Sequence, residues 1–119
     1  MTADDFRRLA LSLPEAVESA HMGTADFRVG RIFATLGYPD PSFGMAALTR
    51  EHQEMLVAAE PSMFAPVAGG WGLKGATLVR LAAADEAAVR GALETAWRSK
   101  ANRRQIALLD ARRAAAAST

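Results

Sequence analysis

At 119 residues, with a formal net charge of +1 and no cysteine, the chain is sized for one domain with its own core, and disulfides, thiolate metal sites and a cysteine nucleophile are excluded. No apolar run approaches the roughly 20 residues that span a bilayer. The opening MTADDFRRLALSLPEA has an acidic, amphipathic pattern in place of a basic start and an apolar block, so a soluble, cytoplasmic chain without a signal peptide is expected.

The charge is unevenly spread. Residues 1–97 carry eight basic against twelve acidic side chains, whereas residues 98–119 carry Arg98, Lys100, Arg103, Arg104, Arg112 and Arg113 against Asp110 alone. Twelve of the fourteen basic residues are arginine, a bias that a GC-rich genome produces without functional demand.

In chain order, Thr2 reads as an N-cap with Asp4 and Asp5 in the first turn, where carboxylates favour the positive end of the helix dipole. Phe6, Leu9, Ala10 and Leu13 recur at helical spacing until Pro14. From Asp26 the period changes to two: Phe27 and Val29 alternate with Arg28, then Ile32, Ala34 and Leu36 alternate with Arg31, Phe33 and Thr35, which predicts two strands about Gly30. GYPDP, Gly37 to Pro41, is a turn by composition, and SFGMAAL reads as a third strand. Thr49 caps a second helix, Arg50 to about Ala59, with His52, Met55, Leu56 and Ala59 along one stripe. Met63 to Gly72 reads as an edge strand that tolerates Pro66, and Ala76 to Ala82 as a strand with Thr77, Val79 and Leu81 on one face. Asp85 caps a third helix whose stripe, Val89, Ala92, Leu93, Ala96 and Trp97, is suited to lie on a sheet. The order is α-β-β-β-α-β-β-α. Residues 1–100 form one α+β domain in this reading, and 101–119 a basic, alanine-rich helical tail.

The stretch GGWGLKGATLVRL, Gly69 to Leu81, contains the G-x-G-x-x-G spacing of a dinucleotide cradle. That cradle requires the glycines to open a helix, whose N-terminus receives the pyrophosphate. Here they precede a strand, and Lys74 stands on the wrong side of Gly75 for a phosphate loop. A hairpin about Leu73-Lys74-Gly75 is expected instead, with Trp71 and Lys74 near its tip, an aromatic face beside a point charge.

The remaining candidates for chemistry are sparse. His21, expected in a loop, and His52, on the second helix, do not make a metal site, which needs three protein ligands. No serine sits in a nucleophile elbow, so neither a cofactor nor a catalytic group is expected. Arg28, Arg31, Lys74 and Arg80 are strand or hairpin residues able to share the outer sheet face. Four phosphate contacts there would give a log–log salt slope of about −3.6 on duplex DNA.

Three stretches, HMGTADFRVGRIFATLG (His21 to Gly37), GGWGLKGATLVRL and ALETAWRSK (Ala92 to Lys100), resemble the MmcQ/YjbR family, small bacterial proteins described as DNA-binding. The likeness runs over about residues 5 to 100 and is strongest at Phe27, Arg28, Val29, Phe33 to Leu36, Trp71, Gly72, Gly75, Thr77, Ala96, Trp97 and Arg98. This chain departs from the family pattern at Leu73 and Ala76. The resemblance implies a two-layer α+β fold, with an antiparallel sheet of about five strands packed against helices, and DNA binding without catalysis. The expected contacts are Arg28, Arg31, Trp71, Lys74 and Arg80 on the sheet and hairpin, with Arg98, Lys100, Arg103 and Arg104 adding sequence-independent affinity. Two rival readings are a protein-interaction or chaperone-like module or homodimer docking through Ile106, Leu108 and Leu109, since the fold expected is similar to that of secretion chaperones, and an enzyme or ligand binder using His21 with Arg28.

Overall fold

The structure, a computed structural model, describes residues 1–118. Local capping sets most of the helix starts. Thr2 and Asp5 form a reciprocal capping box that opens α1 (Ala3–Leu11), Thr49 caps α2 (Arg50–Ala59) through the His52 amide, and Asp85 caps α4 (Glu86–Lys100) through the Ala88 amide. After α4, Ala101 is extended and Asn102 opens a separate α5 (Arg103–Ala117), with Gln105 completing a second capping box.

The strands are β1 (Val17–His21), β2 (Thr24–Val29), β3 (Arg31–Leu36), β4 (Phe43–Ala47), β5 (Phe64–Pro66) and β6 (Ala76–Arg80). They form a six-stranded sheet in the order β1-β2-β3-β4-β6-β5, with every pairing antiparallel. One strand more than expected is present. β1 is an edge strand whose five residues are all exposed, so it lacks the apolar alternation that marks a strand in sequence, and His21 ends it rather than standing in a loop. Pro66 does lie on the opposite edge strand, but β5 is only three residues long. β6 ends at Arg80, and Leu81–Ala83 wind into a 3-10 turn.

One face of the sheet carries the core. α4 lies over β3 and β4, and α1 packs on α4 and β3, enclosing Phe6, Phe27, Phe33, Phe64, Val79, Leu93 and Trp97. Trp97 is fully buried, and its indole N–H donates to Pro14 O at 3.1 Å. Truncating such an aromatic costs about 3–5 kcal/mol. Gly44 is required here because a methyl group would strike the Phe6 ring.

Strict alternation fails in β3. Phe27 opposes Ala34 and Arg28 opposes Ile32, which leaves Phe33 as an extra residue. This bulge sends both Phe33 and Ala34 into the core and turns Ile32 to the other face, beside Arg28. The expected stripe on α2 also fails. Gln53 is its one buried residue, while His52, Met55 and Ala59 are exposed.

Opposed residues of an antiparallel pair share a face, so the register names the outer surface. A row Ser19, Asp26, Thr35, Met45, Leu78 and Ala65 crosses all six strands on the face away from the core. α5 does not cover this face. It docks behind the helical layer, burying Leu109 in the core cluster with Ile106 against it. Its ion pairs run to Glu15, Glu94 and Arg98.

Candidate functional site

The glycine stretch carries a single helical turn, α3 (Gly70–Leu73), in the connection between the paired antiparallel strands β5 and β6, so the hairpin closes through a long loop and not through a tight turn about Leu73-Lys74-Gly75. It is held from several sides. A methyl group on Gly72 would overlap the Val67 carbonyl, and one on Gly75 would overlap the Leu48–Thr49 backbone. Gly75 also has φ +111°, a conformation that other residues resist. From α2, the Gln53 side-chain amide donates to Gly72 O and Ala76 O, each at 2.9 Å, and Arg50 donates to Leu73 O at 3.3 Å. The turn is thereby pinned against α2 and β6.

What this turn presents is an exposed indole. Trp71 is 59 % exposed, unusual for the largest apolar side chain, and its ring lies 6.3 Å from that of Tyr38, tilted by 59°. Tyr38 comes from the GYPDP turn between β3 and β4. A cavity of about 450 Å³ opens beside this pair on the outer sheet face, lined by His21, Met22, Thr24, Asp26, Thr35, Tyr38 and Trp71. A second depression of about 270 Å³ shares Thr35 and Trp71 with it and is lined also by Ile32, Met45, Lys74 and Lys100. The two adjoin as one groove, and the chain's two lysines converge at one end of it.

Most of the cations expected on DNA are engaged elsewhere. Arg28 is on the outer face but grips the buried Asp26 carboxylate with two bonds, 2.8 and 3.1 Å. The same bonds, with the attraction of that carboxylate, raise the Arg28 pKa. Arg31 opposes the buried Val29, so it points to the helical side, where it donates to Ser99 O at 3.4 Å. Arg80 donates to Pro61 O at 2.9 Å. The four sheet and hairpin cations therefore do not form one patch.

In the tail, Arg98 pairs with Glu94 and Asp110. Arg104 makes two 2.7 Å bonds to Glu15, Arg112 donates to Ser12 O, and Arg113 pairs with Glu94. Lys74, Lys100 and Arg103 make no ion pair among the described residues. Of the apolar tail residues, Leu109 and Ile106 face inward and Leu108 is 40 % exposed.

Tyr38, Thr35, Asp26 and Met22 were not among the residues expected to bind a ligand. The one local signal was the aromatic residue inside GYPDP, and its meeting with Trp71 depends on two loops from distant parts of the chain. His21 lies in the groove wall with no carboxylate partner among the described residues, and His52 bonds Thr49 Oγ1 through Nδ1 at 3.0 Å. Among the described residues no three His, Cys, Asp or Glu side chains gather as a metal site, and no helix is long and apolar enough to cross a membrane.

Two comparisons with known proteins agree with this architecture. The crystal structure of Deinococcus radiodurans protein DR2400, with a DUF419 domain, superposes with a TM-score of 0.67 at 24% identity, covering 81% of this chain and 75% of that one. That level of identity supports the fold alone. No curated protein matches the chain. The YjbR family model matches residues 11–99, from the end of α1 through nearly all of α4 and including every strand, and the chain belongs to the YjbR family.

Proposed function

We propose that this chain is a non-enzymatic nucleic-acid-binding domain that takes single-stranded DNA along the groove of its open sheet face. The observation that carries the reading is the pinned α3 turn, which holds an exposed Trp71 beside Tyr38 with Lys74 and Lys100 close by. Aromatic platforms flanked by point charges suit unpaired strands, because every base offers a π-face and stacking contributes about 1–3 kcal/mol per base. A duplex hides those faces. The engaged arginines on the sheet and tail also favour a small phosphate term. Two lysine contacts on a single strand give a log–log salt slope of about −1.4, against about −3.6 for four contacts on a duplex.

The test is fluorescence anisotropy of labelled single- and double-stranded oligonucleotides with the wild type and Trp71→Ala. The expected result is a preference for the single strand that falls by roughly tenfold in Trp71→Ala. Equal affinity of the two proteins, or tighter duplex binding, overturns the reading.

A further inference from the structure

We infer that the larger cavity seats one unpaired base and selects bases whose edge carries an amino group, with Asp26 as the selecting residue. This rests on the single-strand reading of the groove. The walls are the tilted Tyr38–Trp71 pair, and the floor is the polar part of the cross-sheet row, Asp26 opposite Thr35. Asp26 is 1 % exposed. It lies on the outer face by register, and its carboxylate has Arg28 on both oxygens.

The pairing leaves capacity for a ligand. An ionised carboxylate offers about four lone-pair sites and no proton, and Arg28 occupies two of them through its Nε and Nη2 groups. A base edge meeting this floor must therefore donate. Cytosine presents its N4 amino group, whereas thymine presents the O4 carbonyl at the same ring position. An oxygen set against a carboxylate is repelled, and the floor then has an unmet acceptor. Arg28 becomes a positioning residue that fixes the Asp26 carboxylate, in place of the phosphate contact its sheet-face position suggests. Lys74 and Lys100, at the adjoining end of the groove, are placed for the phosphate of the same or the next nucleotide.

Cytosine and thymine homo-oligonucleotides of about ten nucleotides differ at the relevant edge while keeping the ring size. Quenching of Trp71 reads their binding, since Trp97 is buried. The expected result is cytosine bound roughly five- to tenfold more tightly than thymine, with the difference lost when the oligonucleotide carries N4,N4-dimethylcytosine. That ligand change leaves the protein untouched, so it decides the matter without a variant of the buried Asp26. Equal binding of all three overturns the selection while the single-strand reading stands. No quenching by any of them overturns both. Deoxycytidine monophosphate, run as a competitor, separates the two sources of this chemistry: displacement at equal concentration assigns the cavity to a free nucleotide, and weak displacement assigns it to a strand.

Discussion

Gln53 and Gly72 are joined by a buried bond of 2.9 Å from the glutamine side-chain amide to the glycine carbonyl, and this contact fixes where Trp71 stands. The same amide nitrogen serves Ala76 O at 2.9 Å. Replacing Gln53 with leucine keeps much of the volume but leaves both carbonyls without this donor. Each carbonyl keeps a backbone donor, Gly75 N–H on Gly72 O and Val67 N–H on Ala76 O, both at 3.0 Å, so the loss is that of the two side-chain hydrogen bonds, about 0.5–1.5 kcal/mol each. Gln53→Leu is therefore expected to lower the denaturant midpoint without changing the slope. It should also broaden the environment of Trp71, read by its fluorescence lifetime. A midpoint equal to wild type would mean that water or local rearrangement replaces the amide.

The glycines of the same turn separate by position. Gly70 has open space where a side chain would go, whereas Gly72 faces the Val67 carbonyl. Gly70→Ala should be neutral or stabilise by about 0.4–1 kcal/mol through the unfolded chain. Gly72→Ala should destabilise by several times that amount, because backbone must move to admit the methyl group. Thermal melts of the two variants check the contrast. Similar melts would show that α3 shifts freely, and a freely shifting turn would not hold an indole in place.

The legible parts of this fold are those written in short stretches. Thr49 and Asp85 start their helices through bonds three residues on, and Val89 to Trp97 bury the stripe that their spacing predicts. β1 was invisible because VESAH lies on an edge with every residue exposed. The phase of β3 was misread at Phe33 and Ile32, since a bulge is a property of the pair of strands rather than of either one. The burial of Gln53, which stands off the apolar stripe expected on α2, follows from carbonyls of α3 and β6 that are distant in sequence. The groove depended on the same kind of information. Trp71 and Lys74 could be picked out by type, but their grouping with Tyr38 and Lys100, and the loss of Arg31 to the helical side, follow from tertiary register.

The docking of α5 has a pH signature. Bonds from Arg104 first, and then Gln105, hold the Glu15 carboxyl at a pKa of about 2, below its ordinary 4.5. The folded value is depressed, so the unfolded state takes up the proton first as pH falls. The contribution of this contact is complete above about 4.5 and is lost progressively toward about 2. Both groups are substantially exposed, and salt should weaken the contact as well. Glu15→Gln should lower stability above about pH 4.5 and leave it near wild type toward pH 2, which flattens the acid limb of a stability–pH curve measured by circular dichroism. An unchanged acid limb would assign the loss to the other carboxylates that pair with arginine.

The lysines and the tail arginines make opposite predictions about DNA. Lys74 and Lys100 line the groove, whereas Arg104 is committed to Glu15 by two bonds behind the helical layer. Removing both lysines as Lys74→Ala with Lys100→Ala should take about 1.4 from the magnitude of the log–log salt slope on single-stranded DNA, the whole of what two contacts supply. Arg104→Ala should leave the slope near its wild-type value while weakening α5 docking. Anisotropy titrations of the three proteins over a range of salt concentrations distinguish the surfaces. If Arg104→Ala instead lowers the slope and the lysine variant does not, phosphate competes successfully with Glu15, the tail is the binding surface, and the groove on the sheet serves something other than a nucleic-acid backbone.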